Sequence, residues 1–148
     1  MSLKAASGDG MKQQIQGLMV WTSRGLNEVT EACRGVVRES GVREGLCTVF
    51  IRHTSASLVI QENADPAVRR DLEAFLSRLV PDGDPLFTHV AEGAEDMPSH
   101  VKAALTRTSE QVPILAGELA LGTWQGVYVW EHRGGRRWRE IVVHVIGE

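Results

Sequence analysis

Phe50-Ile51-Arg52-His53-Thr54-Ser55-Ala56-Ser57-Leu58-Val59-Ile60-Gln61-Glu62-Asn63-Ala64-Asp65-Pro66 is the stretch on which the reading of this chain turns. An apolar strand breaks into a histidine and small hydroxylic residues, resumes as Leu58-Val59-Ile60, and ends in an amide and carboxylate cluster that opens a helix. Hydroxyls and an imidazole wedged between two core strands are costly unless every polar atom finds a partner, in the protein or in a ligand. The kink therefore reads as the floor of a site.

Downstream of the kink, Asp65 reads as a helix N-cap with Pro66 at the first helical position, where a missing N–H costs nothing. Val68, Leu72, Phe75, Leu76 and Leu79 then recur at helical spacing over residues 66–80. Pro81-Asp82-Gly83-Asp84-Pro85 ends that helix, and the connector 86–97 carries His89, Glu92, Glu95 and Asp96. Pro98 is read as opening a second helix with His100 in its first turn. Ala116-Gly117 joins strands 112–115 and 118–121 as a hairpin, and Gly134-Gly135 is read as the turn between strands 125–133 and 138–146.

Upstream, residues 46–53 form a strand with Cys47, Val49, Ile51 and His53 on one face. Thr30 reads as the N-cap of a short helix ending at Ser40-Gly41. Strands 11–21 and 26–29 are separated by a Ser23-Arg24-Gly25 turn. Residues 1–10 read as a disordered leader or appended remnant, and 11–148 as one domain. Two or three helices among about eight strands, many joined by hairpins, predict an α+β domain, mostly an antiparallel β-sandwich.

The 148 residues suit one domain of ordinary size. A net charge of −3 and a pI near 6.0 leave no electrostatic footprint for nucleic acid, and the basic run Arg133-Gly134-Gly135-Arg136-Arg137-Trp138-Arg139 is short. No apolar run approaches the ~20 residues a membrane span needs. The expectation is a cytoplasmic protein with neither membrane nor nucleic-acid partners. Cys33 and Cys47 are too few for a disulfide framework and read as reduced core thiols.

His53, His89 and His100 come from three different elements. Three imidazoles can bind a divalent ion, zinc first and magnesium as the alternative, with a fourth position open for water or substrate. Their separations match no local ligand pattern, so hydrogen-bonded or solvated histidines remain the competing reading. Glu131 and His132 follow an apolar strand, with Gln125 on the same face as Glu131; that carboxylate is either at a wet strand end or buried with a partner. Gly122-Thr123-Trp124-Gln125-Gly126 is a compact turn open to a ligand or another subunit. Asn63 and Asp65 stand at a helix mouth, where an ionised Asp65 would repel phosphate and leave it to Thr54, Ser55 and Ser57 or to a bridging cation. Ser55 is placed to pair with His53, but without a Gly-x-Ser-x-Gly elbow a serine hydrolase is disfavoured. His144 alternates with core valines, and the four tryptophans serve core or interface.

His53-Thr54-Ser55-Ala56-Ser57, Glu62-Asn63-Ala64-Asp65-Pro66, His89-x-x-Glu92-Gly93-x-x-Asp96-Met97-Pro98-Ser99-His100 and Gly122-Thr123-Trp124-Gln125-Gly126 with Glu131-His132 resemble the YjbQ family, also called secondary thiamine-phosphate synthases. The match covers nearly the whole chain from about residue 11; Gln61 stands where many members have Asn. The resemblance implies an α+β sandwich assembling as a homotrimer, with a polar pocket near subunit contacts that can hold a metal. It also implies a weak synthase activity, joining hydroxymethylpyrimidine diphosphate to a thiazole phosphate with loss of pyrophosphate. The expected roles are metal binding by His53, His89 and His100, catalysis by Glu131 and Asp65, and substrate binding by Thr54, Ser55, Ser57, Asn63, Gln125 and His132. The alternatives are a metal-dependent hydrolase of a small phosphorylated or acylated metabolite, and a non-enzymatic trimeric ligand-binding module.

Overall fold

In the computed structural model, which describes residues 2–4 and 10–148, the chain runs β1 (Ser2–Lys4), β2 (Lys12–Glu28), α1 (Thr30–Ser40), β3 (Gly45–Ile51), β4 (Ala56–Glu62), α2 (Pro66–Leu79), α3 (Asp96–Leu105), β5 (Ser109–Leu115), β6 (Glu118–Leu119) and β7 (Gln125–Gly147). Among the described residues, three helices lie on one curled antiparallel sheet ordered β1-β2-β7-β3-β5-β6, with β4 also paired to β7. The α+β class read from the strand and helix rhythm is the one that forms.

β7 organises this sheet. One flank pairs with β2 over nearly the whole length. The other flank pairs with β4 along its first half and β3 along its second. Ile51 stands opposite Ile141 and Ala56 opposite Glu131, so the kink 52–55 faces the long segment 132–140. On the β2 side the ladder slips between Ser23, opposite Arg136, and Gly25, opposite Glu131. The two expected turns, Ser23-Arg24-Gly25 and Gly134-Gly135, are thus facing parts of one bulge inside continuous strands. A bulge can use the same positive φ as a tight turn, and Gly25 (φ 107) and Gly135 (φ 74) adopt it. Pairing on both sides of it decides against a hairpin.

Two helix starts also differ from expectation. Thr30 is the first residue of α1 and not its cap; its hydroxyl donates to Glu28 Oε2 at 2.8 Å and accepts from the Val127 amide at 2.9 Å. α3 begins at Asp96, two residues before Pro98. Proline in a first turn forfeits no intrahelical hydrogen bond, so Pro98 marks the inside of this helix and not its edge. At α2 the expectation holds: Asp65 accepts from the Ala67 amide at 2.9 Å and Pro66 follows.

Cys33, Val49, Ile51, Leu58, Val129 and Ile141 are among the residues that close the core between the sheet and α1. Burial pushes the Cys33 and Cys47 thiols up to about 12 and about 11, as suits inert core thiols. His144 is held by Gln13 at 2.7 Å, and β5 and β6 close over Ala116-Gly117 as a hairpin. Trp130 is buried, while Trp21, Trp124 and Trp138 are exposed. The α2 stripe is only partly covered: Leu76 is buried, Phe75 and Leu79 are not. Of the expected leader, Ser2–Lys4 pairs with β2, and residues 1 and 5–9 lie outside those described. No described helix is long and apolar enough to cross a membrane.

Gly45 and Gly147 are direct partners where β3 meets the end of β7. A Cβ on Gly45 would run into the Ile146 carbonyl oxygen and stand 2.8 Å from the Gly147 Cα. Gly45→Ala is expected to lower unfolding free energy by roughly 1–3 kcal/mol through this overpacking. Denaturant unfolding checks it, and an unchanged midpoint would show that the two backbones have room to part.

Candidate metal centre and the kink that positions it

Glu131 lies at the end of the β4–β7 ladder and is wholly buried. Its carboxylate accepts from Arg139 Nε at 2.7 Å, Arg139 Nη2 at 2.6 Å, Thr22 Oγ1 at 2.9 Å and the Arg133 amide at 3.3 Å. Burial raises the pKa of this carboxyl, but the hydrogen bonds and charge of Arg139, with help from Thr22 and the Arg133 amide, bring it below the ordinary glutamate value. Arg139 Nη2 also donates to the hydroxyl of Ser55 at 2.8 Å and to its carbonyl at 3.3 Å. One buried ion pair therefore fixes the bulge to the kink.

The kink in turn orients a histidine. Thr54, next to Ser55, accepts from His100 Nδ1 at 2.8 Å through its backbone carbonyl. A carbonyl only accepts, so Nδ1 carries the hydrogen and a neutral His100 has its lone pair on Nε2. That lone pair points at Asp96 Oδ2, 3.0 Å away, and His89 Nε2 is 2.7 Å from the same oxygen. Glu92 Oε2 stands 3.3 Å from His89 Nε2. Ligand atoms of His89, Glu92, Asp96 and His100 all lie within 4.8 Å of one another.

Burial opposes the charge on Asp96, but His89, Glu92 and His100 outweigh it and hold the carboxyl down at about 2. The hydrogen bond to Asp96, opposed by desolvation and aided by Glu92, raises His89 above the usual histidine value. An ionised carboxylate facing two imidazole nitrogens repels their lone pairs unless each gap holds a proton or a shared cation. This donor set fits a divalent ion: two imidazoles, one deeply set carboxylate and a second carboxylate at the rim.

Of the three expected metal histidines, the structure brings together His89 and His100 and leaves His53 out. His53 Nε2 accepts from the Glu140 amide at 2.7 Å, so its neutral ring carries the hydrogen on Nδ1 and cannot also accept there from Arg139. Burial and then the Arg139 charge push its pKa down, so it is a neutral strut of the bulge. The Ser55–His53 pair that the spacing permits does not form; Ser55 meets Arg139, and Ser57 meets His132 Nε2 at 2.8 Å. Ser57 and His132 are both fully enclosed, which removes them from direct substrate contact in this chain. Thr54, by contrast, is exposed beside His100.

Asn63, Asp65 and Gln125 gather elsewhere. Gln125 pairs with Glu62, six residues along β4 from the Ala56–Glu131 pair, which is roughly 20 Å at the usual rise of a strand. There Asn63 donates to the Gln125 carbonyl at 3.4 Å, Gln125 Oε1 accepts from the Gly122 amide at 2.7 Å, and Asp65 caps α2. Gly126 is needed at this end, because a Cβ there would meet Glu28 Oε2 at 2.8 Å and Asn63 Cβ at 3.2 Å.

Sequence reasoning noted Glu92 and Asp96 without making them ligands, and missed Arg139, Thr22 and Lys102. The signal for Asp96 was its spacing of four from His100, which shares a helix face only if α3 starts before Pro98. Lys102 is 1% exposed and its ammonium has no hydrogen-bond partner among the described residues; burial and then Arg24 lower its pKa. Burial, and then Lys102, depress His132 to about 3, so that imidazole is neutral.

Residues 18–148 match the family model described as UPF0047 protein YjbQ-like. A UPF0047 protein of Synechocystis is 52% identical over 138 residues, covering 92% of this chain and 94% of that protein. YjbQ of Escherichia coli O157:H7 is 42% identical over 127 residues, covering 85% and 91%. Among solved structures, a protein of unknown function from Sulfolobus solfataricus superposes with TM-score 0.84 at 26% identity, covering 93% of this chain and 99% of its own. An uncharacterised YjbQ/UPF0047 protein of Clostridium acetobutylicum gives 0.80 at 38%, covering 88% and 98%. With four motifs in order and a family match across most of its length, this chain belongs to the YjbQ-like UPF0047 family.

Proposed function

We propose that this protein is a cytoplasmic zinc-dependent enzyme acting on a small phosphorylated metabolite, with thiamine-phosphate synthesis as its reaction. In that reaction hydroxymethylpyrimidine diphosphate is joined to a thiazole phosphate and pyrophosphate leaves. The observation that carries the reading is the convergence of His89, Asp96 and His100 on one point, with His100 Nδ1 committed to the Thr54 carbonyl. Two imidazoles favour zinc over magnesium, which prefers oxygen donors. A bound ion would supply positive charge to phosphate oxygens.

The protein's own groups then have separable tasks. Asp96 and the two histidines hold the cation, Glu92 closes the rim, and the exposed Thr54 hydroxyl is free to donate to a substrate oxygen. Glu131 is assigned to positioning and not to proton transfer, since every route to its carboxylate is taken up by Arg139, Thr22 and the Arg133 amide.

Asn63, Asp65 and Gln125 require a second copy of the chain to approach this centre. A homotrimer is supported by apolar surface left open on the sheet. Trp21 and Trp138 pack in a tilted pair with ring centroids 4.9 Å apart and are exposed, as are Met19 and Phe50.

Untagged protein is expected to bind zinc stoichiometrically by elemental analysis. His100→Ala or Asp96→Asn should weaken zinc at least about ten-fold by competition with a chelator and abolish synthase turnover. Unchanged metal content and turnover in His100→Ala would sink the assignment. If wild type loads zinc but turns over phosphoesters and not the synthase substrates, the hydrolase reading replaces it.

Glu131→Gln is expected to cost about 3–5 kcal/mol, because it strands Arg139 as an unpaired buried charge. A folded pKa below the unfolded value means that the stabilisation is complete above the ordinary glutamate value of 4.5 and is lost as pH falls through the lower folded value. Unfolding measured against pH should therefore show a shallower acid loss in the variant. Wild-type stability with abolished turnover would instead restore Glu131 as a proton carrier.

A further inference from the structure

Asp96 is the buried carboxylate of the candidate centre, and its two oxygens have different neighbours. Oδ2 faces the imidazole nitrogens of His89 at 2.7 Å and His100 at 3.0 Å, while Oδ1 faces Arg133 Nε at 3.4 Å. Arg133 belongs to β7 at the bulge, not to the loop or helix that carries the centre. Its backbone amide donates to the buried Glu131 at 3.3 Å, and the next amide, that of Gly134, donates to Glu95 Oε2 at 3.0 Å. The guanidinium is therefore delivered to Asp96 by the same buried ion pair that, through the kink, aims His100.

The contact is an ion pair without a hydrogen bond. Arg133 Nε is buried, makes no hydrogen bond among the described residues, and has Glu95 Oε1 at 3.7 Å as a second carboxylate neighbour. A buried N–H left in that state is destabilising, so stability alone does not account for it. A guanidinium beside a cation centre also repels the cation. Both costs fall on the residue that meets the Asp96 oxygen turned away from the imidazoles.

We infer that Arg133 is a positioning residue that keeps Asp96 a one-oxygen ligand. With Oδ1 held by the guanidinium, the centre presents His89 Nε2, His100 Nε2 and Asp96 Oδ2, with Glu92 out at the exposed rim. Three inner donors leave a tetrahedral ion a fourth position for an incoming ligand. Without Arg133 the second oxygen is free to turn in and fill it. The inference rests on the metal reading above and adds what keeps that centre open.

Titration of the cobalt-substituted protein with imidazole, followed by the visible absorption of the ion, tests it. Imidazole is uncharged under mildly alkaline conditions, so losing the Arg133 charge does not by itself change its binding. Wild type should show a saturable spectral shift as imidazole enters the open position. Arg133→Met should hold cobalt at least as tightly, since a repelling charge is gone and a donor is gained, yet bind imidazole about ten-fold or more weakly. Arg133→Lys, which returns a cation to the same carboxylate, should recover most of the imidazole binding. Should Arg133→Met fail to fold by circular dichroism, Arg133→Leu carries the same expectation. Imidazole binding that survives in the folded neutral variant, or cobalt lost along with it, overturns the inference and leaves the metal reading standing. Wild type that holds cobalt and never responds to imidazole overturns it too, and wild type that takes up neither zinc nor cobalt overturns both.

Discussion

Taking Glu131 and Arg139 out of water costs several kcal/mol per ion, and the pair persists because the geometry leaves little unsatisfied. Arg139 meets both carboxylate oxygens and the Ser55 hydroxyl, while Thr22 and a backbone amide complete the shell. Three long antiparallel rows, β2, β3 continued by β4, and β7, are all interrupted at this level. An interruption of three rows would otherwise be a crack through the sheet. The ion pair turns it into a hinge-free joint, and the Thr54 carbonyl that aims His100 is a by-product of that joint.

Seen from the joint outward, the candidate centre is assembled from two sources of different stiffness. Asp96 and His100 stand on a helix that packs against β7 and β4, and His100 is further tied to the kink. His89 and Glu92 ride on a loop held mainly by its own turns. A cation at the centre would tie the second source to the first.

Much of this was legible from the residues. The polar kink, the Asp65-Pro66 helix start, the core thiols, the Ala116-Gly117 hairpin and the α+β class all follow from local chemistry and appear where expected. Ser23-Arg24-Gly25 and Gly134-Gly135 misled because glycine-rich turns and bulges use the same backbone conformations; only the partner strand, about a hundred residues away, tells them apart. Pro98 misled because a proline marks the first turn of a helix without saying which residue of that turn it occupies. With α3 starting at Asp96, that residue shares a helix face with His100, while His53 stands apart at the bulge. The partner of Glu131 was invisible for a related reason, since Arg139 reaches it across a bulge that breaks the strand's two-residue period.

The central place of β7 has a consequence for how the chain reaches this state. β2, β3 and β4 each find their long-range partner in the last strand of the order, and β2 lies more than a hundred residues before the residues it pairs with. Such pairings incur the full entropy of closing large loops before any reward, so the sheet is built slowly and late. Until the 125–147 segment joins them, β2, β3 and β4 each keep an unpaired edge, the state in which strands are open to aggregation.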